Sequence, residues 1–156
     1  MSEVEFVIIG HAVKNVGLNT EVNGMWDQHN RGYNVLFEID SVIKGNLESK
    51  MIIVKQFGGN CDQIFKFGEP YLIVGNQLEE FVNKTPKRRK PKKGEIPPAS
   101  MPSVYSKTAI FYDSSDDEVN YWQELANEQI ILNTSMCSSL LSGQLKKRNN
   151  FLTKHN

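Results

Sequence analysis

The chain has 156 residues, enough for one domain with a substantial core. Its 18 Lys and Arg balance its 18 Asp and Glu, so no global field draws it toward nucleic acid or a membrane surface. No apolar run approaches the about 20 residues of a membrane helix, and the first residues lack the basic start and cleavage site of a signal peptide.

In chain order, Val4, Phe6 and Ile8 open a long first strand, about Val4 to Val16, with Gly10 as a bulge or bend. Asn15 to Gly32 is rich in Asn and Gly and reads as a loop, with Trp26 folding back on the domain. Tyr33 to Ile43 is the clearest alternating strand, and Lys44-Gly45-Asn46 follows it as a turn. Met51 to Phe57 reads as a third strand. The stretch Cys61 to Asn76 then places a cysteine after Gly58-Gly59, an aromatic alternation at Phe65 and Phe67, a turn at Gly68 to Pro70, and a fourth strand at Tyr71 to Val74. Residues expected to point inward are Val35, Phe37, Ile39, Ile53, Leu72 and Val74.

The composition then changes. Lys84, Lys87, Arg88, Arg89, Lys90, Lys92 and Lys93 place seven of the 18 positive charges in one short run. Five prolines accompany them by Pro102, so about 84–102 reads as an extended basic loop. Val104 to Tyr112 is a further candidate strand. Ser115 and Glu118 form a capping-box pattern before Val119, Trp122 and Leu125 at helical spacing, which predicts a helix over Asp116 to Asn127. Gln129 to Met136 reads as the last strand, ending at Cys137. Leu140, Leu141 and Leu145 suggest a C-terminal helix before a polar tail at about 146–156. These elements predict a single mainly β domain: a small five-stranded Greek-key barrel with one or two short peripheral helices.

The order of Ser2 to Gly10, Tyr33 to Ile39, Val42-Ile43-Lys44-Gly45, Asn60-Cys61-Asp62, Glu69 to Gly75 and Ile131 to Cys137 resembles the netrin-like domain of the tissue inhibitors of metalloproteinases and their bacterial relatives. The resemblance spans roughly Ser2 to Leu141, with the basic loop and Val104 to Asn127 as an insertion. It implies an OB-fold barrel, a secreted, periplasmic or cell-envelope location, and a protein as partner. It also implies that Cys61 and Cys137 are disulfide candidates whose usual partners lie in a Cys-x-Cys segment ahead of the first strand. This chain begins at the first strand without that segment, whose first cysteine chelates the protease zinc in the inhibitors. No inhibition of zinc proteases by that route is therefore expected. Cys61 and Cys137 are expected as free thiols here, the alternative being a direct bond between them.

The chemistry-bearing residues point to no catalytic site. His11, His29 and His155 lack metal-ligand spacing, and the cysteines lie 76 positions apart, so neither a metal nor a cofactor is expected. No Cys/His or nucleophile-elbow pattern is present. Asp113, Asp116, Asp117 and Glu118 suit a helix start, where the dipole favours acids. Two function classes follow. The first is a non-catalytic protein-binding module. The alternative is a nucleic-acid-binding OB domain that uses the basic loop from Lys84 to Lys93.

Overall fold

The structure is a computed structural model, and it describes residues 4–57, 63–85 and 107–133. Five strands close a barrel: β1 (Phe6–Asn15), β3 (Val35–Lys44), β4 (Met51–Lys55), β9 (Ile131–Asn133) and β6 (Pro70–Gln77), in that order around the circumference. Neighbours are antiparallel except β4 and β9, which run parallel. The expectation of a mainly β, closed five-stranded barrel with short peripheral helices is met.

Period-two alternation explains β1 and β3. Phe6, Ile8 and Ala12 from β1 meet Val35, Phe37 and Ile39 from β3 inside the barrel. Three rings anchor this core: Phe37, Phe65 and Tyr71 stand edge-to-face at centroid separations of 4.9, 5.0 and 6.1 Å, the arrangement that ring quadrupoles favour. The bend expected at Gly10 is a shift in pairing register between Ile9 and Gly10. A Cβ at Gly10 would stand 2.7 Å from the Glu38 carbonyl oxygen, so the β1–β3 approach needs a glycine.

Three inward assignments are corrected by the register. On β6 the core side chains are Tyr71 and Ile73, and Leu72 and Val74 lie half-buried on the other face. On β4, Ile52 and Val54 point into the barrel, whereas Ile53 points out. Ile53 is buried all the same, because a second layer covers that side. It consists of α2 (Asp116–Glu128) and a parallel ribbon of β7 (Glu80–Lys84) and β8 (Thr108–Tyr112). Ile53 and Ile131 from the barrel wall pack there with Leu78, Ala109, Phe111, Val119 and Trp122.

The start of α2 matches the sequence expectation in half. The Ser115 hydroxyl accepts from the Glu118 backbone N–H at 3.2 Å, and Asp116, Asp117 and Glu118 fill the first turn. The reciprocal half of a capping box is replaced. The Glu118 carboxylate accepts instead from the Trp122 indole N–H at 2.9 Å, one turn on. Ser115→Ala is expected to destabilise by about 1 kcal/mol, the usual worth of such a cap. Urea unfolding followed by circular dichroism measures it.

The segment from Asn15 to Gly32, expected as loop, contains α1 (Thr20–Asp27) and β2 (Arg31–Gly32). The asparagine read as a breaker is its cap: Asn19 Oδ1 accepts from the Val22 N–H at 3.1 Å. β2 pairs with β5 (Phe65–Lys66) in a two-residue antiparallel ribbon beside the barrel. Tyr71 Oη accepts from the Lys66 N–H at 2.9 Å, tying that ribbon to β6. Trp26 is half-buried, in keeping with its expected return to the domain. The candidate C-terminal helix around Leu140 lies outside the described residues.

Candidate functional site

Of the sequence-derived site residues, Lys84 alone is described; it ends β7 and is exposed. Lys87, Arg88, Arg89, Lys90, Lys92, Lys93 and the disulfide candidates Cys61 and Cys137 lie outside the described residues. The described parts of the molecule concentrate unusual side chains in places that sequence reasoning passed over.

Among the described residues, several exposed apolar side chains lie on or beside α1. Leu18, Val22 and Met25 recur at intervals of four and three and are 43%, 43% and 61% exposed. Val22 and Met25, three apart, share one face of α1, and Leu18 stands just before the Asn19 cap. Helices normally turn such a face inward, and here it is turned to solvent. The sequence signal was present in the spacing but masked by the surrounding asparagines and glycines.

The turn after α1 brings polar groups together. His29 and Asn30 donate their backbone N–H groups to the carbonyls of Trp26 and Asp27, each at 3.0 Å. Asn30 takes a left-handed conformation at φ 54°, which asparagine tolerates better than most residues. The chain therefore doubles back, and Trp26, His29 and Arg31 line a cleft of about 380 Å³. Asn15 fixes the turn by donating to the Asp27 carboxylate at 2.7 Å and to the Arg31 carbonyl at 2.9 Å.

A third cluster surrounds Lys55. Its ammonium lies 4.5 Å from the ring centre of Phe57, 4.7 Å from Trp122 and 5.0 Å from Phe111, and the residue is only 6% exposed. Each such contact contributes about 0.5–2 kcal/mol, more as water is excluded. The cage is built by β4, α2 and β8, so it fastens the outer layer to the barrel and is already filled by the chain's own cation.

The ionic contacts of the described residues are modest. His11 Nδ1 lies 3.1 Å from Asp40 and Nε2 lies 3.3 Å from Glu38, across the β1–β3 ladder. All three are partly exposed, so solvent screens the pair to below about 1 kcal/mol. Lys107 lies 3.2 Å from Glu5 and 3.5 Å from Glu79. Its hydrogen bond to Glu5 raises its pKa above the ordinary 10.5, and the charges of Glu5 and Glu79 add to this. A raised lysine value means that the contact is complete at neutral pH and is lost only as the pH climbs through that value. Among the described residues no group of three or more His, Cys, Asp or Glu is placed to hold a metal. Nor is any described helix long and apolar enough to cross a membrane.

A larger cleft of about 630 Å³ runs between β7 and α2, floored by Leu78 and Phe81 and flanked by Glu79, Glu80 and Gln123. Gln123 Nε2 reaches across it to the Phe81 carbonyl at 3.4 Å.

These features define a closed five-stranded barrel with a caged outer layer on one side and, elsewhere, a short helix with an exposed apolar face ending in a cationic, aromatic turn. Comparison with protein families, with curated proteins and with solved structures returns no match.

Proposed function

We propose that this chain is a non-catalytic protein-binding module of the OB-barrel class, similar to the netrin-like domains and acting outside the cytoplasm. The barrel's strand order supports the class: first, second, third, fifth, fourth, with a parallel seam between third and fifth. The observation that carries the function is the outward face of α1. Val22 and Met25 lie on a helix inserted between the first two barrel strands, Leu18 lies just before its Asn19 cap, and none of the three is needed to fill the core. An amphipathic helix presented in this way suits an apolar groove or helix on another protein.

The test replaces Met25 with a photo-crosslinking amino acid and irradiates the protein with extracellular material from its source. A discrete protein adduct is expected at this position, absent from a control probe at exposed Glu48 and lost when Val22→Asp is added. Adducts of equal yield at both positions would overturn the reading. An adduct to nucleic acid would overturn it too. Sedimentation of the unlabelled protein separates a self-adduct from a foreign partner.

A further inference from the structure

We infer that the turn between α1 and β2 is a binding site for a phosphate ester carrying a flat ring, the chemistry of a nucleoside phosphate. The site comprises Trp26, His29, Arg31 and Lys66. Two independent observations converge on it.

The first is the cleft itself. Trp26, His29 and Arg31 line about 380 Å³, within the range of small-ligand sites. Indole, imidazole and guanidinium all present N–H donors, and among the described residues none of these side chains meets an acceptor or an acid. The carboxylate within the same turn, Asp27, is held by Asn15.

The second is a pairing of like charges. Arg31 and Lys66 are direct cross-strand partners in the β2–β5 ribbon. Antiparallel partners share a face, and the buried pair beside them, Gly32 and Phe65, takes the opposite one. An exposed lysine is thus the cross-strand neighbour of the arginine that lines the cleft, a like-charge pairing that is mildly destabilising in itself and that an anion would relieve. A phosphate satisfies both charges, and the guanidinium can grip two of its oxygens. Trp26, half-buried in the cleft wall, supplies the apolar surface on which a base or another ring stacks.

The source of that chemistry is either a free nucleotide or a single strand of nucleic acid, and the experiment separates them. The chain has two tryptophans, and Trp122 is fully buried, so quenching by a surface ligand reports Trp26. The full chain is titrated with AMP, inorganic phosphate, uncharged adenosine and a short single-stranded oligonucleotide. AMP is expected to quench saturably. Phosphate should bind more weakly yet compete, and adenosine should fail to saturate. Arg31→Gln and Lys66→Gln should each weaken AMP about tenfold, the usual effect of losing one charged hydrogen bond. Trp26→Leu, followed by NMR shifts of the Arg31 and Lys66 amides, should bring AMP down to the affinity of phosphate. An oligonucleotide that binds far more tightly than AMP, with a steep salt dependence, assigns the site to a nucleic-acid strand. Comparable affinities assign it to a free nucleotide. No saturation by AMP up to about 10 mM, a contact worth under ~3 kcal/mol, would overturn the site. Equal binding of AMP and phosphate by the unmodified chain would overturn the ring-stacking half. Unchanged melting of the variants by circular dichroism shows that a lost signal is lost binding.

Discussion

Trp122→Ala is expected to lower stability by about 3–5 kcal/mol, the range for deleting a fully buried tryptophan. For a chain of this length that is a fall in melting temperature of about 10 °C. The residue is completely buried at the middle of the outer layer. It touches Tyr121 edge-on at 5.4 Å and caps the Lys55 ammonium at 4.7 Å, and its N–H is held by Glu118 at 2.9 Å. Removal leaves a cavity facing Ile53 and Ile131, and it takes one wall from the cage of a buried lysine. Trp122→Phe keeps an apolar ring there and should cost much less. The loss should also be local. Amide exchange in α2, β7 and β8 should accelerate well before exchange in β1, β3 and β6, because the three-ring core of the barrel does not include Trp122. Equal acceleration throughout would mean that the barrel cannot stand without its outer layer.

The second large effect is expected at Gln56. Its side chain is 1% exposed and its amide nitrogen donates to the Tyr33 carbonyl at 2.6 Å and to the Gln63 carbonyl at 2.7 Å. Its amide oxygen accepts from the Gln63 N–H at 2.7 Å. One glutamine thus satisfies three backbone groups where the chain leaves β4 and returns toward β5. Gln56→Met keeps the volume and leaves those groups without their partner in a buried place. At about 1–3 kcal/mol for each orphaned group, partly relieved by water, the cost should reach about 3–5 kcal/mol. Gln56→Glu distinguishes hydrogen bonding from packing. An ionised carboxylate would face two carbonyl oxygens and be repelled, whereas a protonated one can still donate to one of them. The variant carboxyl is therefore expected to titrate above its ordinary value of about 4.3. The protonated form is favoured in the fold, so the variant should be most stable at acid pH and lose stability as the pH rises through that raised value. A Gln56→Glu protein as stable at pH 7 as the parent would show that the amide donor contributes little.

The predicted oxidation state of the cysteines stays an expectation, since Cys61 and Cys137 lie outside the described residues. Two tripeptides, Asn83-Lys84-Thr85 and Asn133-Thr134-Ser135, fit the N-glycosylation acceptor pattern. Asn133 is buried in β9, and Asn83 is engaged with the Ser114 backbone at 2.7 Å and 3.3 Å, so neither offers a free side chain in the folded chain.

By itself the sequence determined the elements whose signals are local. Alternation at Phe6, Ile8, Val35 and Phe37 marks strands with one buried face, and a serine cap with Val119, Trp122 and Leu125 at helical spacing marks α2. The tertiary structure decided what local pattern leaves ambiguous. Ile52, Ile53 and Val54 form a continuous apolar run because β4 is covered on both sides, by the barrel core and by α2, so alternation there carries no information about which side is in. The strand β7 owes its existence to a parallel partner more than 20 residues further on, a pairing that no short window contains. The helix α1 was hidden by Asn and Gly, whose meaning depends on position, since Asn19 as a cap starts the helix that Asn in its middle would weaken. The proposed binding turn is the extreme case. Arg31 and Lys66 are ordinary exposed cations 35 positions apart, and only the two-residue ribbon of β2 and β5 makes them neighbours.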